Sequence, residues 1–509
     1  MKLNRTLYRA LLIASFVLVN ALLLFGIGAV WSYLNTGADR STMLHLPQTL
    51  AATYRPHVEW DTMANEGRPM ETQTLMEIER DYLKAWQLRN LALESNDPHG
   101  ISDYYTDSAR VKLYQMLDLN RASNTSIKTS SLRHHPTLEF YSADGKIVVL
   151  TDKNVERYEA VYSNDSLILE QKLTTSFQVM LLLEDGFWRI RHMVEGEPTF
   201  ENGVPSPENP PSVDTISKIK GINYYPRATP WAMFGEAFDE TIIGNDFASI
   251  KSLGINTVRI FVPYADFGKA ELRIDRLERL KQTLDLAEHQ GLQVMVTLFD
   301  FYGDYDIRDW TLTHRHAEEI VKSLKEHKAL LAWDIKNEPD LDFDSRGKER
   351  VMAWLGQMIS EIKRWDSKHP VTIGWSHPSV APKLSEEVDF VSFHYYGEPS
   401  DFSTAYAELQ QAVPKKPLLL QEYGYSSYNG LWNLYLGSEE DQASYFTQMR
   451  ESLKTQGLPH MFWTLYDFES VPEEVVGKLP WRKAKQRHFG LLDREGNPKP
   501  VWDIVNQKK

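Results

Sequence analysis

The chain has no cysteine in 509 residues. That removes disulfides, thiolate metal sites and cysteine nucleophiles at once. It is also short of basic residues: 56 Lys and Arg stand against 70 Asp and Glu, a formal charge of −14. Nucleic-acid binding needs a basic face, so a phosphate backbone is not the expected partner. No Gly-rich phosphate turn follows an early strand, which argues against a dinucleotide fold. The acidic clusters fit no EF-hand spacing, and no metal or cofactor is expected. Beyond the N-terminus no apolar run is long enough to span a bilayer.

The N-terminus does carry such a run. Lys2, Arg5 and Arg9 precede apolar residues 10–34, interrupted by little more than Asn20. Basic residues on that side keep the tail, residues 1–9, in the cytoplasm and export the rest. The expectation is a single-pass membrane anchor with a periplasmic or extracellular body. A cleaved signal peptide is the alternative, with Thr36-Gly37-Ala38 as a small-residue cleavage site.

A chain of this length holds two or three domains. Residues 35–70 lack sustained periodicity and read as a tether. From Glu71 an amphipathic helix begins, with Leu75, Ile78, Tyr82, Ala85 and Leu88 on one stripe. A second helix follows near Asp107–Leu119, then alternating strands with hairpin turns at Asp144-Gly145 and Asp185-Gly186. Helices leading into a long antiparallel sheet resemble the NTF2-like α+β fold over residues 71–197. That resemblance implies a pocket in which His134, His135 or His192 could act, or a spacer or protein-docking piece; no acid paired with a histidine is legible. Residues 198–214, "GEPTFENGVPSPENPPSVD" with its flanks, are proline-dense and apolar-poor, a semi-rigid linker.

Over residues 215–507 the rhythm changes to short, continuously apolar strands alternating with amphipathic helices. Eight such units over about 290 residues have the count and size of a (β/α)8 TIM barrel, whose sites lie at the C-terminal ends of the strands. A doubly wound open sheet is the alternative. The strand ends carry Arg259 (second), Asn337 and Glu338 (fourth), His394 and Tyr396 (sixth), Glu422 (seventh) and Trp463 (eighth). A lone glutamate at a strand end is usually a helix cap. Two carboxylates across one barrel mouth, with an arginine, a histidine and aromatics around them, suit glycoside hydrolysis. If they stand about 5–5.5 Å apart, one protonates the leaving oxygen and the other attacks the anomeric carbon with retention. The expectation is Glu338 as acid/base and Glu422 as nucleophile. Arg259 and Tyr396 would keep Glu422 charged, Asn337 would hold a sugar hydroxyl, and Trp463 would floor the subsite.

These residues, in "TVRIF", "WDIKNEP", "SFHYY", "LLLQEYG" and "FWTLYDF", resemble a clan A glycoside hydrolase, most like family 5, the cellulase and β-mannanase family. The resemblance implies a retaining β-glycosidase with no cofactor, acting on a carbohydrate partner. Two departures stand out. Asp300 ends the third strand, where family 5 often has histidine. "HFGLLDREGNPKPVWDIV" is similar to barrel ends of family 2, the exo-β-glycosidase group. Many aromatics at strand ends favour a polysaccharide, and acidic residues in the same loops, Asp300 to Asp344, argue against an anionic one. The expected substrate is therefore a neutral β-glucan or β-mannan. The alternatives are a family 2-like exo-enzyme or a non-catalytic glycan-binding subunit of an exopolysaccharide assembly.

Overall fold

A computed structural model describes residues 13–24, 26–27, 54–200, 211–435, 437–476 and 479–506. Both ends of the expected anchor (10–12 and 28–34) and its residue 25, the cytoplasmic tail, the tether up to residue 53 and the heart of the linker lie outside these. Residues 13–24 and 26–27 are helical with exposed apolar side chains. Among the described residues no helix is long and apolar enough to cross a membrane.

The first body contains β1 (His57–Val58), α1 (Thr72–Ser95), α2 (Asp107–Ala122), β2 (Thr125–Tyr141), β3 (Ile147–Ser163), β4 (Ser166–Glu184) and β5 (Phe187–Glu195). The sheet runs β1-β2-β3-β4-β5, and β6 (Thr199–Phe200) pairs with β4. Its long strands reverse at short turns: residues 142–146, with Gly145 at positive φ, join β2 to β3, and the two-residue turns Asn164-Asp165 and Asp185-Gly186 take positive φ at both positions, as a primed hairpin turn requires. The α1 stripe of Ile78, Tyr82, Ala85 and Trp86 packs on Leu138, Val148, Leu150, Val179 and Leu181 of the sheet.

Two local features are set by contacts rather than by period. Polar Lys153-Asn154 interrupt the pattern between "KIVVLTD" and "VERYEAVY" as a strand end would. Instead β3 is continuous, with a bulge between Asp152 and Val155 and Asn154 at φ 52°. A bulge absorbs the polar Lys153-Asn154 pair without ending the ladder. Residues 54–70 carry no period, yet they are fixed by irregular contacts. Tyr54 enters the core, His57 pairs with Arg133, and Asn65 Oδ1 accepts from Gly67 N and Tyr141 N.

The second body is a closed barrel of β7 (Lys220–Asn223), β8 (Thr257–Pro263), β9 (Gln293–Asp300), β10 (Leu330–Asn337), β11 (Val371–Trp375), β12 (Val391–Tyr395), β13 (Leu418–Tyr423) and β14 (His460–Trp463), all parallel. Both faces of these strands are buried, so hydrophobic runs rather than alternation mark them. Helices α3 (Glu240–Ser252), α4 (Ile274–His289), α5 (Trp310–Leu324), α6 (Lys348–Trp365), α7 (Pro399–Ala412), α8 (Glu439–Gln456) and α9 (Pro500–Asn506) lie between or after them.

The two bodies are welded, not strung. Leu132, Tyr158 and Ala160, on the outer sheet face, belong to the same buried cluster as the barrel. The Tyr158 ring lies 4.4 Å from that of Trp310. Around this apolar contact runs an ion-pair chain. Arg133 pairs with buried Glu361, which also accepts from His314 at 2.8 Å; Arg364 pairs with Glu156 at 2.7 Å; His57 pairs with Glu318. Burial lowers His314; burial alone would raise Glu361, but its interaction with His314 and the Arg133 and Arg364 charges outweigh that and hold it well below the carboxylate range.

Candidate active site

Arg259, in the middle of β8, is wholly buried. Its guanidinium is committed in every direction. Nε donates to Thr297 Oγ1 and Asp334 Oδ2, both at 3.0 Å; Nη1 donates to Asn223 Oδ1 at 3.0 Å and Glu422 Oε1 at 2.5 Å; Nη2 donates to Asp334 Oδ2 at 2.6 Å and Asn337 Oδ1 at 2.8 Å. A planar fork with all its donors used has one orientation. It fixes the ends of β7, β10 and β13 relative to one another.

Glu422, at the end of β13, accepts from Arg259 through Oε1 and from Tyr396 Oη through Oε2 at 2.8 Å. Glu338 follows β10 in the left-handed region, φ 45° and ψ 51°, and its N–H donates to Gly374 O at 2.7 Å. Pro339 then opens a 3-10 turn, so the backbone is bent at the carboxylate itself. A non-glycine residue here costs of order 1 kcal/mol. The bend ends an apolar strand in Asn-Glu-Pro and turns Glu338 back toward the barrel axis.

Between the two carboxylates stands His394 of β12, wholly buried. Nδ1 is 2.8 Å from Glu338 Oε1 and 3.6 Å from Glu422 Oε2, and Nε2 is 3.3 Å from Gln421 Oε1. Oxygens of Glu338 and Glu422 come within 4.8 Å of each other. Burial opposes the imidazolium, but the Glu422 and Glu338 charges outweigh it and raise His394 above its ordinary value. Burial likewise raises Glu338, and the His394 hydrogen bond and charge outweigh it and lower the carboxyl. Both directions place the proton of this contact on His394 Nδ1, which donates to Glu338 Oε1, while Nε2 faces Gln421 Oε1 as a donor. Such a trio could also bracket a cation, but the Arg259 guanidinium already supplies a positive charge on Glu422.

All seven strand-end residues expected from the sequence thus meet at one end of the barrel. Trp463 lies differently from the expectation of a bare floor. It is 5% exposed, and the Trp231 ring stacks on it at 6.0 Å and 27°. Trp231, half-buried, presents the outer aromatic face. Of the other strand-end aromatics, Tyr302, Tyr305, Trp310, Trp375 and Tyr395 are core, whereas Trp432 and Trp481 are exposed with rings 5.9 Å apart. Asn337 spends Oδ1 on Arg259; its Nδ2 makes no hydrogen bond among the described residues.

Sequence reasoning missed Asp334, Asn223, Gln421 and Lys336. Asp334 and Lys336 share the inward period of β10 with the mouth, the one signal that could have found them. Asp300 accepts from Tyr225 Oη at 2.9 Å, and burial pushes its carboxyl up to about 6 against that bond and the Lys336 charge. An acid whose folded value is raised weakens the fold as it ionises. The loss of stability sets in between pH 4 and 6 and is complete above, and 2 pH units correspond to about 3 kcal/mol. Asp300→Asn should therefore melt with wild type near pH 4 and above it at pH 7.5. A constant gap across that range in thermal scans would contradict the assignment.

Several known proteins are similar to this chain. β-Glucuronidase of Chlorocebus aethiops is 24% identical over 306 residues, 54% of this chain and 43% of the relative. Mannan endo-1,4-beta-mannosidase 5 of Solanum lycopersicum is 26% identical over 242 residues, 38% of this chain and 55% of the relative. The chain thus spans about half the length of the curated relatives it matches. The crystal structure of a GH5_18 from Bifidobacterium longum subsp. infantis has a TM-score of 0.47 and 18% identity, covering 56% of this chain and 77% of that one. Residues 221–469, from β7 to the segment past β14, match the family model Cellulase (glycosyl hydrolase family 5), so the barrel is the part of this chain that is similar to that family.

Proposed function

We propose that the chain is a retaining β-glycoside hydrolase, with Glu422 as nucleophile and Glu338 as acid/base. The observation that carries this is the approach of Glu338 and Glu422 oxygens to within 4.8 Å, which supports direct attack, with carboxyl groups about 5–5.5 Å apart, over the gap of about 6.5–9.5 Å that admits an inverting water. Glu422 takes the attacking role because Arg259 and Tyr396 hold both its oxygens. Glu338 takes the proton-transfer role because no guanidinium bonds its oxygens among the described residues and its Oε1 meets His394 Nδ1, a group that can carry a proton to and from it. In the first step Glu338 protonates the leaving oxygen as Glu422 bonds the anomeric carbon. In the second it removes a proton from water, which displaces Glu422. Asn337 Nδ2 would meet a sugar hydroxyl, and the Trp231–Trp463 stack an apolar ring face.

The substrate in this reading is a neutral β-linked polysaccharide or oligosaccharide, a β-mannan or β-glucan. The mannosidase relatives and the acidic loops Asp300–Asp309 and Asp340–Asp344 support it. An exo-acting β-glycosidase is the second reading, supported by the β-glucuronidase relatives. Residues 10–34 would anchor the protein, with an NTF2-like domain between membrane and barrel that could also dock a protein partner. The detergent-solubilised full chain should release reducing sugar from mannan or β-glucan, with the β-anomer seen first by NMR. Activity confined to an aryl β-glucuronide would favour the second reading, and an α-anomer formed first would overturn retention.

A further inference from the structure

The N-terminal domain contains a buried cation that its own residues do not neutralise. Trp86, Arg89 and Asn90 lie at i, i+3 and i+4 on α1, on or beside the stripe that faces the sheet. Arg89 is 7% exposed, and its Nη1 is buried without a hydrogen-bond partner among the described residues. It forms no ion pair among them either. Its guanidinium carbon is 5.4 Å from the Trp86 ring, the Trp86 ring is 5.0 Å from Phe177, and a second guanidinium, that of Arg157, is 5.0 Å from Phe177. Burial lowers Arg157, and the Arg89 charge lowers it further, ahead of the opposing carboxylates. The two cations therefore pack on one aromatic pair, close enough to repel each other.

Their situations differ. Arg157 pairs with Glu195 and, at 3.1 Å, with Glu159, and donates to Thr175 Oγ1 at 3.2 Å. Arg89 lies among Trp86, Tyr54, Tyr105 and Arg157, none of them an acid. Asp152, the carboxylate inside this core, is taken by Tyr82 Oη at 2.7 Å, His134 Nδ1 at 2.6 Å and His135 N at 2.8 Å. That bonding also accounts for His134, which is a buried structural histidine. Further unpaired polar atoms come from the same helix and the adjoining strand: Trp86 Nε1, Asn90 Oδ1 and Thr129 Oγ1. An uncompensated buried charge is strongly unfavourable, and a guanidinium fork matches the paired oxygens of a carboxylate or phosphate.

We propose that Arg89 anchors an oxyanion-binding site inside the N-terminal domain, with Arg157 as the second positive wall and Trp86 and Phe177 as the apolar sides. The ligand is a small molecule bearing a carboxylate or a phosphate. The site stands on another domain from the barrel mouth and does not depend on the proposed hydrolysis.

The test uses the full chain in uncharged detergent, with sodium acetate, inorganic phosphate and sodium chloride at matched ionic strength. Acetate or phosphate should raise the melting temperature saturably where chloride does not, and the arm that responds identifies the oxyanion class. Arg89→Met, of similar length without charge, should lose that rise and should itself melt no lower than wild type. Arg89→Lys, which keeps the charge without the fork, should bind at least tenfold more weakly by calorimetric titration. Equal responses to all three salts would overturn the proposal and leave Arg89 a water-solvated cation. An anion-specific rise that persists in Arg89→Met would place the binding elsewhere and overturn it equally. If Arg89→Met does not fold, the wild-type salt series and the Arg89→Lys titration decide alone.

Discussion

Glu422→Ala should lose activity by about 10⁴-fold or more, because a nucleophile and its partners act as a unit. Glu338→Ala should lose activity in a way that depends on the substrate. An aryl β-glycoside whose leaving group needs no protonation should still glycosylate Glu422. Water then lacks its general base, and the reaction should show a burst followed by slow turnover. Azide needs no base, so adding it should restore turnover in Glu338→Ala and give the β-glycosyl azide with retained configuration. In Glu422→Ala azide can enter only from the face the carboxylate has vacated, and the product is the inverted α-azide. Product configuration by NMR distinguishes the cases. The reverse pairing of products and mutants would exchange the two roles, and full activity in both would move the reaction away from this end of the barrel.

Arg259→Met should unfold at lower denaturant as well as lose turnover. The substitution strips the guanidinium from Asp334, which is wholly buried, and from Glu422, which is 5% exposed. Removing one partner of a buried pair costs about 3–5 kcal/mol, because the other charge stays behind in a medium that solvates it poorly. Asp334 would keep Thr297 Oγ1 at 2.7 Å and Gly374 N at 2.9 Å, two neutral donors where it had a cation as well. Adding Asp334→Leu removes the orphaned charge at similar volume and should recover most of the lost stability. Activity should not return, since Glu422 still lacks its cation. Equilibrium unfolding and kcat of the single and double variants test both halves. A double variant that is both stable and active would make Arg259 a structural residue only.

The facing carboxylates Glu338 and Glu422 are legible in the chain because their signal is local. A strand of continuous apolar residues ending in Asn337-Glu338-Pro339 marks a barrel strand and its mouth within one short segment, and "LLLQEYG" does the same for Glu422. Eight strand-helix periods fix the barrel count because each strand buries both faces. The α1 stripe and the Gly-bearing turns of the N-terminal domain are legible for the same reason. Each is a period or a dihedral requirement within a few residues.

What the tertiary structure decided is every relation that pairs residues distant in the chain. Asp334 under Arg259, Gln421 beside His394 and Trp231 over Trp463 come from different strands and loops, and each alone reads as an ordinary core or turn residue. The Asp152 partner of His134 lies one strand away. Residues 54–70 and the sheet face of Leu132, Tyr158 and Ala160 look like tether and solvent-facing strand, because their partners are on the first body's sheet or on α5 and α6 of the barrel. Composition and periodicity report what a segment can bury. Which charge neutralises which, and whether Arg89 finds an acid at all, depends on distances in space that only packing sets.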